Sequence, residues 1–156
     1  MVRICSETIT HGQRYLLDLL DRHVFFAFAD KMGLSRSYMH KVAAGKFKPP
    51  CRHIYTMRNV IYPALWFIEE HEPVPENPYK PTRKREWDWK TSQGMRRLQD
   101  LTADSGVRAW ALKNGLDYYP VWMESDQSHE LSYNKIIMLE DHIDPASWFF
   151  YEVAGN

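Results

Sequence analysis

The decapeptides IYPALWFIEE (residues 61–70) and IDPASWFFYE (143–152) agree at six of ten positions: Ile61/Ile143, Pro63/Pro145, Ala64/Ala146, Trp66/Trp148, Phe67/Phe149 and Glu70/Glu152. A spacing of 82 residues is too long for a solenoid repeat and predicts duplication of a small domain. The preceding residues keep the pattern, since Ile54/Ile136, Tyr55/Ile137 and Met57/Leu139 are apolar in register. Each copy predicts a helix, a turn and a second short helix opened by Pro63 or Pro145, because proline is well tolerated at the first helical position. Trp66, Phe67, Trp148 and Phe149 then read as core of their respective halves.

Between the halves, residues 71–90 carry Pro73, Pro75, Pro78 and Pro81, a density that opposes helix and favours an extended linker. The expected organisation is a domain over 1–72, a Pro-rich basic linker over 73–90 and a second domain over 91–156, all mainly α. The 156 residues are 44% apolar and 26% charged, the composition of a soluble globular chain. No apolar run approaches the roughly 20 residues that span a bilayer. The N-terminus MVRICSETITHGQ lacks the apolar stretch of a signal peptide, so a cytoplasmic location is expected. Cys5 and Cys51, without a CxxC or paired histidines, read as reduced thiols.

A net charge of zero conceals an uneven distribution. Residues 28–60 hold seven Lys/Arg against one Asp, and residues 80–97 hold seven against Glu86 and Asp88. From 98 onward three Lys/Arg face ten Asp/Glu. Such a split predicts one electropositive and one acidic surface with different partners.

The most informative stretch is FFAFADKMGLSRSYMHKVAAGKFKPP, residues 25–50. Phe28, Ala29 and Met32 give a first helix an apolar face, and Gly33 breaks it before Leu34. Ser35 is a good N-cap for a second helix with Met39 and Val42 inward. Gly45 and then Pro49-Pro50 end that helix. Two short helices with Ala29 at their crossing and Gly33 in a tight turn have helix-turn-helix geometry. Over about residues 10–70 the chain resembles the phage repressor and Cro-type helix-turn-helix regulators, with a first helix at about 12–21. That resemblance implies major-groove base contacts at Arg36, Ser37 and Lys41. The outward face of the second helix, Arg36, Ser37, His40 and Lys41, has no acid of its own and suits guanine O6 and N7. Lys46, Lys48 and Arg52, with Arg83, Lys84 and Arg85 from the linker, are the expected phosphate contacts. Phe25 stands where the family commonly has a glutamine that braces a phosphate, so either Arg22 or His23 takes that task or the DNA is approached differently.

In the second half, GMRRLQDLTADSGVRAWALKNG imitates the helix, turn and helix order with Gly106 as the turn, but Gly115 follows after nine residues, against twelve from Gly33 to Gly45. The second helix then reads as one turn short, displaying Ala109, Trp110 and Lys113, with LDYYPVWMESDQSHELSYN as an aromatic, acidic insertion. This half is expected not to read DNA. Trp110, Tyr118, Tyr119 and Trp122 are its candidate partner interface. The histidines show neither HExxH nor metal spacing, and no GxSxG or P-loop is present, so no catalysis, metal or cofactor is expected. The leading expectation is a sequence-specific repressor of phage or mobile-element type, a homodimer on double-stranded DNA with no membrane association. The alternatives are an inhibitor of a host nucleic-acid enzyme, such as an anti-CRISPR protein, acting through the acidic half, and an antitoxin.

Overall fold

The first duplicated phrase closes a helical unit and the second closes another. A computed structural model describes residues 9–22, 25–46, 48–83, 85–116 and 131–151, and the chain divides into unit 1, Met1–Asn77, and unit 2, Pro78–Asn156. Unit 1 contains α1 (His11–Asp21), α2 (Phe25–Met32), α3 (Arg36–Ala43), α4 (Cys51–Thr56) and a 3₁₀ turn, Pro63–Phe67. Unit 2 contains a 3₁₀ turn at Trp89–Thr91, α5 (Gln93–Thr102), α6 (Gly106–Lys113), α7 (Tyr133–Met138) and a 3₁₀ turn at Pro145–Phe149. The fold is mainly α, and among the described residues the β structure is a single antiparallel bridge between Thr10 and Glu69.

Helix boundaries follow local chemistry. Thr10 caps α1 in a capping box with Gln13, Ser92 caps α5 through Met95 N–H, and Ser35 caps α3 through Tyr38 N–H. At the end of α3, Gly45 (φ 76°) and Lys46 donate to Val42 and Lys41 carbonyls, the paired bonds of a Schellman closure. In unit 1, α1 packs against α2, α3 and the Pro63–Phe67 turn, and in unit 2, α5 packs against α6 and both 3₁₀ turns.

The two units share one register, offset by 82 residues throughout the described span. Thr10 and Ser92 are both N-caps, α4 starts at Cys51 and α7 at Tyr133, and the Pro-led turns start at Pro63 and Pro145. The N–H of His11 donates to Ile68 O and that of Gln93 to Phe150 O. Inside each unit a helix-opening glycine faces an indole: a Cβ on Gly12 would stand 2.5 Å from Trp66 Cδ2, and one on Gly94 2.4 Å from Trp148 Cδ2. Both indoles are 0% exposed. Each withdraws on the order of 200 Å² from water, an upper bound of about 5 kcal/mol for its unit.

This register changes the expected alignment of the second half. Gly115 (φ 69°), not Gly106, is the counterpart of Gly33 (φ 70°). After both, the following leucine N–H bonds back to an alanine carbonyl, Leu34 to Ala29 O and Leu116 to Ala111 O. So α6 repeats α2 and is no shortened recognition helix, and the stretch after Gly115 is no insertion, because residues 117–130 fill the same interval as 35–48. Gly106 stands at the first position of α6, so it opens that helix and closes none. The Pro-led segments also differ from expectation: they are five-residue 3₁₀ turns, since after Phe67 and Phe149 the chain turns extended to meet α1 or α5.

Part of the expected linker belongs to unit 2. Tyr79 stacks on Phe150 with centroids 4.1 Å apart, and Trp87 stacks on Phe149 at 5.5 Å. Trp87 Nε1 donates to Trp148 O at 3.0 Å, and Asp88 N donates to the Tyr151 hydroxyl at 2.6 Å. Prolines keep this arm extended, while its aromatics supply apolar surface that the Phe149–Phe150 edge covers. With the arm included, unit 2 carries ten Lys/Arg against twelve Asp/Glu, and unit 1 ten against eight. The excess of acid from residue 98 onward is therefore not the charge of unit 2 as a body.

Candidate nucleic-acid interface

Between α2 and α3 lie three residues, Gly33, Leu34 and Ser35. Gly33 adopts the left-handed conformation with nothing within 4 Å of a would-be Cβ, so its role is the backbone turn and not a close approach. Phe28 and Ala29 of α2 and Met39, Val42 and Ala43 of α3 are buried together under α1. That orientation leaves Ser37 and Lys41, one turn apart, exposed on the side of α3 away from the core, and Arg36 exposed at the N-terminal edge of the helix.

The face is more structured than a row of free side chains. Arg36 donates from Nε and Nη2 to both carboxylate oxygens of Asp30, at 3.2 and 2.6 Å. Its guanidinium carbon lies 4.8 Å from the Phe26 ring centroid. The acid that α3 lacks is thus supplied by α2, and Arg36 holds the Asp30 carboxyl below its ordinary range by hydrogen bonding and charge. His40 is half-buried, its ring centroid 4.6 Å from that of Phe25 and 5.9 Å from that of Phe26. Phe25 itself is core, a packing role. Tyr38, between the polar positions, turns toward α4 and shares a 2.7 Å hydrogen bond with His53 Nδ1. Burial pushes the Tyr38 hydroxyl up to about 12, and burial followed by the nearby Arg52 charge lowers His53.

The cations expected on phosphates occupy different settings. Lys46 and Arg52 are exposed beside the C-terminal end of α3 and on α4. Lys48 turns its ammonium toward α1, donating to Gln13 Oε1 at 3.2 Å, and burial lowers its pKa. Arg83 is exposed. Arg85 lies 3.7 Å above the Tyr151 ring, which ties it to unit 2. Lys84 lies outside the described residues.

Of the residues expected to form a partner interface, Tyr118, Tyr119 and Trp122 lie outside the described residues. Trp110 is a correction: it is 7% exposed, stands in α6 where α2 has Phe28, and meets His142 edge-on at 5.2 Å, so it belongs to the core of unit 2. Sequence reasoning missed Asp30, Phe26 and the Tyr38–His53 brace; a signal for the first two existed in their i, i+4 spacing on α2. Comparison with protein-family models, with curated proteins and with solved structures found no match to this chain.

Proposed function

We propose that unit 1 binds double-stranded DNA, with α3 in the major groove, and that the protein is a sequence-specific regulator of the repressor type acting as a homodimer. The observation that carries this reading is the pairing of a three-residue, glycine-closed turn with a helix whose apolar side is wholly buried and whose outward side offers Arg36, Ser37 and Lys41. Lys46 and Arg52, beside that helix, are placed to neutralise phosphates and fix its register. His40, held between ring contacts, contributes shape to this face more than a free hydrogen-bonding edge.

Selection of bound sequences from a random duplex pool tests the reading. Enrichment of a two-fold symmetric site is expected, together with affinity that falls steeply with salt, each neutralised phosphate adding about −0.9 to the logarithmic slope. Arg36→Ala and Lys41→Ala should each cost about 1–3 kcal/mol on the selected site. Unaltered binding by both variants would exclude α3 as the reader.

One observation favours a second reading. In the common register, residues 35–48 hold four Lys/Arg and no acid, whereas residues 117–130 hold four Asp/Glu and no Lys/Arg. An acidic segment in the place of a basic reading helix suits a protein partner that itself has a basic, nucleic-acid-binding groove, as an inhibitor or an antitoxin would need. Stable capture of a nucleic-acid enzyme by the full chain, lost when Glu124 and Asp126 are neutralised, would favour that reading over DNA binding.

A further inference from the structure

The inference deepens the DNA-binding reading and rests on it. Asp30 engages Arg36 side-on, taking Nε–H and one N–H of Nη2. A guanidinium has five N–H donors in a rigid plane, so this pairing uses one edge and leaves Nη1 and the second N–H of Nη2 as a parallel pair on another. Among the described residues no acceptor takes that second edge. Phe26, a residue 50% exposed, lies against the guanidinium and limits tilting of the plane. Phe26 and Asp30 are four residues apart on α2, hence neighbours on one face. One helix therefore constrains both the edge and the plane of an arginine on the next.

Stability gives little reason for this arrangement. Both charged groups are exposed, and pairs of that kind contribute little to folding. For recognition the arrangement has a definite consequence. An unrestrained arginine on this face meets phosphates as readily as bases, but a carboxylate at its side disfavours phosphate approach. The open edge carries two parallel donors, the complement of guanine O6 and N7 in the major groove.

We propose that Asp30 and Phe26 are positioning residues that hold Arg36 for bidentate recognition of one guanine, and so set the base specificity of unit 1. Asp30 touches no DNA in this scheme and acts through Arg36.

The test is site selection followed by competition binding with all four base pairs at each selected position, using the full chain and its Asp30→Ala, Phe26→Leu and Arg36→Ala variants. The wild-type protein should show one G·C position preferred roughly tenfold or more, with that preference abolished by Arg36→Ala. Asp30→Ala should reduce the same preference several-fold while leaving affinity for unrelated duplex unchanged or raised, since a negative charge has been removed. Phe26→Leu should erode the preference in the same direction. A merely structural role predicts something else, a uniform loss on every sequence, and that result would overturn the proposal. Full discrimination by Asp30→Ala would overturn it too, while the Arg36 dependence left the DNA reading intact. Failure of the wild-type chain to enrich any sequence would remove both together.

Discussion

Replacing Gly94 with alanine should weaken unit 2 selectively. An alanine Cβ would sit 2.4, 2.7 and 2.8 Å from Cδ2, Cγ and Cε2 of Trp148. Carbon atoms rest at about 3.5–4.0 Å, so the indole would have to retreat by about 1 Å. It has little room to do so, being fully buried among close-packed side chains, with its own carbonyl held by Trp87 Nε1. Alanine would gain up to about 1 kcal/mol over glycine in a helix lacking the clash. Overpacking costs about 1–3 kcal/mol and more when a rigid ring is struck at its centre. The net expectation is a loss of about 2 kcal/mol, or roughly 10 °C in the midpoint of a unit this size. Amide hydrogen exchange read peptide by peptide should place the loss in α5, α7 and the Pro145–Phe149 turn, with unit 1 unchanged. In a Trp148→Leu background, where the ring is absent, the same Gly94→Ala change should cost little. A neutral or stabilising effect of Gly94→Ala in the wild-type background would refute the contact.

The twin change, Gly12→Ala, should transfer the same pattern to unit 1, where the Cβ would meet Trp66 at 2.5 Å. His53 gives a pH dependence whose sign is fixed. Its pKa is lowered from 6.5, so the unfolded chain takes the proton first, and the stability contributed by neutral His53 is present above 6.5 and lost as pH falls through and below that value. Exchange protection around α3 and α4 should therefore drop as pH falls below about 6.5, and His53→Gln should flatten that part of the profile. If the variant and wild-type profiles run parallel, the brace to Tyr38 does not carry it. Trp87→Ala should destabilise unit 2 by about 2 kcal/mol, less than the 3–5 typical of a fully buried ring because Trp87 is half-buried. An unchanged midpoint would mean that the 79–89 arm does not contribute to the unit.

The duplication, the helical class and the α2–turn–α3 pattern were legible because each rests on local rules: an aromatic phrase written twice, Ser35 as a cap, Gly33 and Gly45 as stops. Burial of Phe28, Ala29, Met39 and Val42 followed from helical spacing alone. The pairing of Gly115 with Gly33 was harder, since glycines open and close helices alike: Gly33, Gly106 and Gly115 all have positive φ (70°, 82° and 69°), and only the hydrogen bonds that follow tell the uses apart. Gly12 and Gly94 carried no visible signal because their partners stand 54 residues further on, at Trp66 and Trp148. The Asp30–Arg36 pair crosses a turn, so it depends on the angle between helices rather than on any pattern within one. Proline density suggested a spacer at 73–90, yet the same stretch holds Tyr79, Trp87 and Trp89, and apolar area outweighed the extended backbone's preference for solvent.

Each helical body, from α1 or α5 to its Pro-led turn, ends beside the start of its own first helix. Ile9 O accepts from Glu70 N and His11 N donates to Ile68 O, while Gln93 donates to Phe150 O and, through Nε2, to Tyr151 O. A body whose two ends are hydrogen-bonded neighbours behaves as a cassette: it can be spliced into a chain, doubled or removed with its interior contacts intact. That property accounts for how one gene could come to hold two such bodies at a fixed interval. It also makes exchange between them practical, since the fourteen residues at 35–48 and the fourteen at 117–130 occupy equal gaps in equivalent frames. Grafting the basic set into the second gap would ask directly whether surface chemistry, with the scaffold unchanged, is all that separates the two.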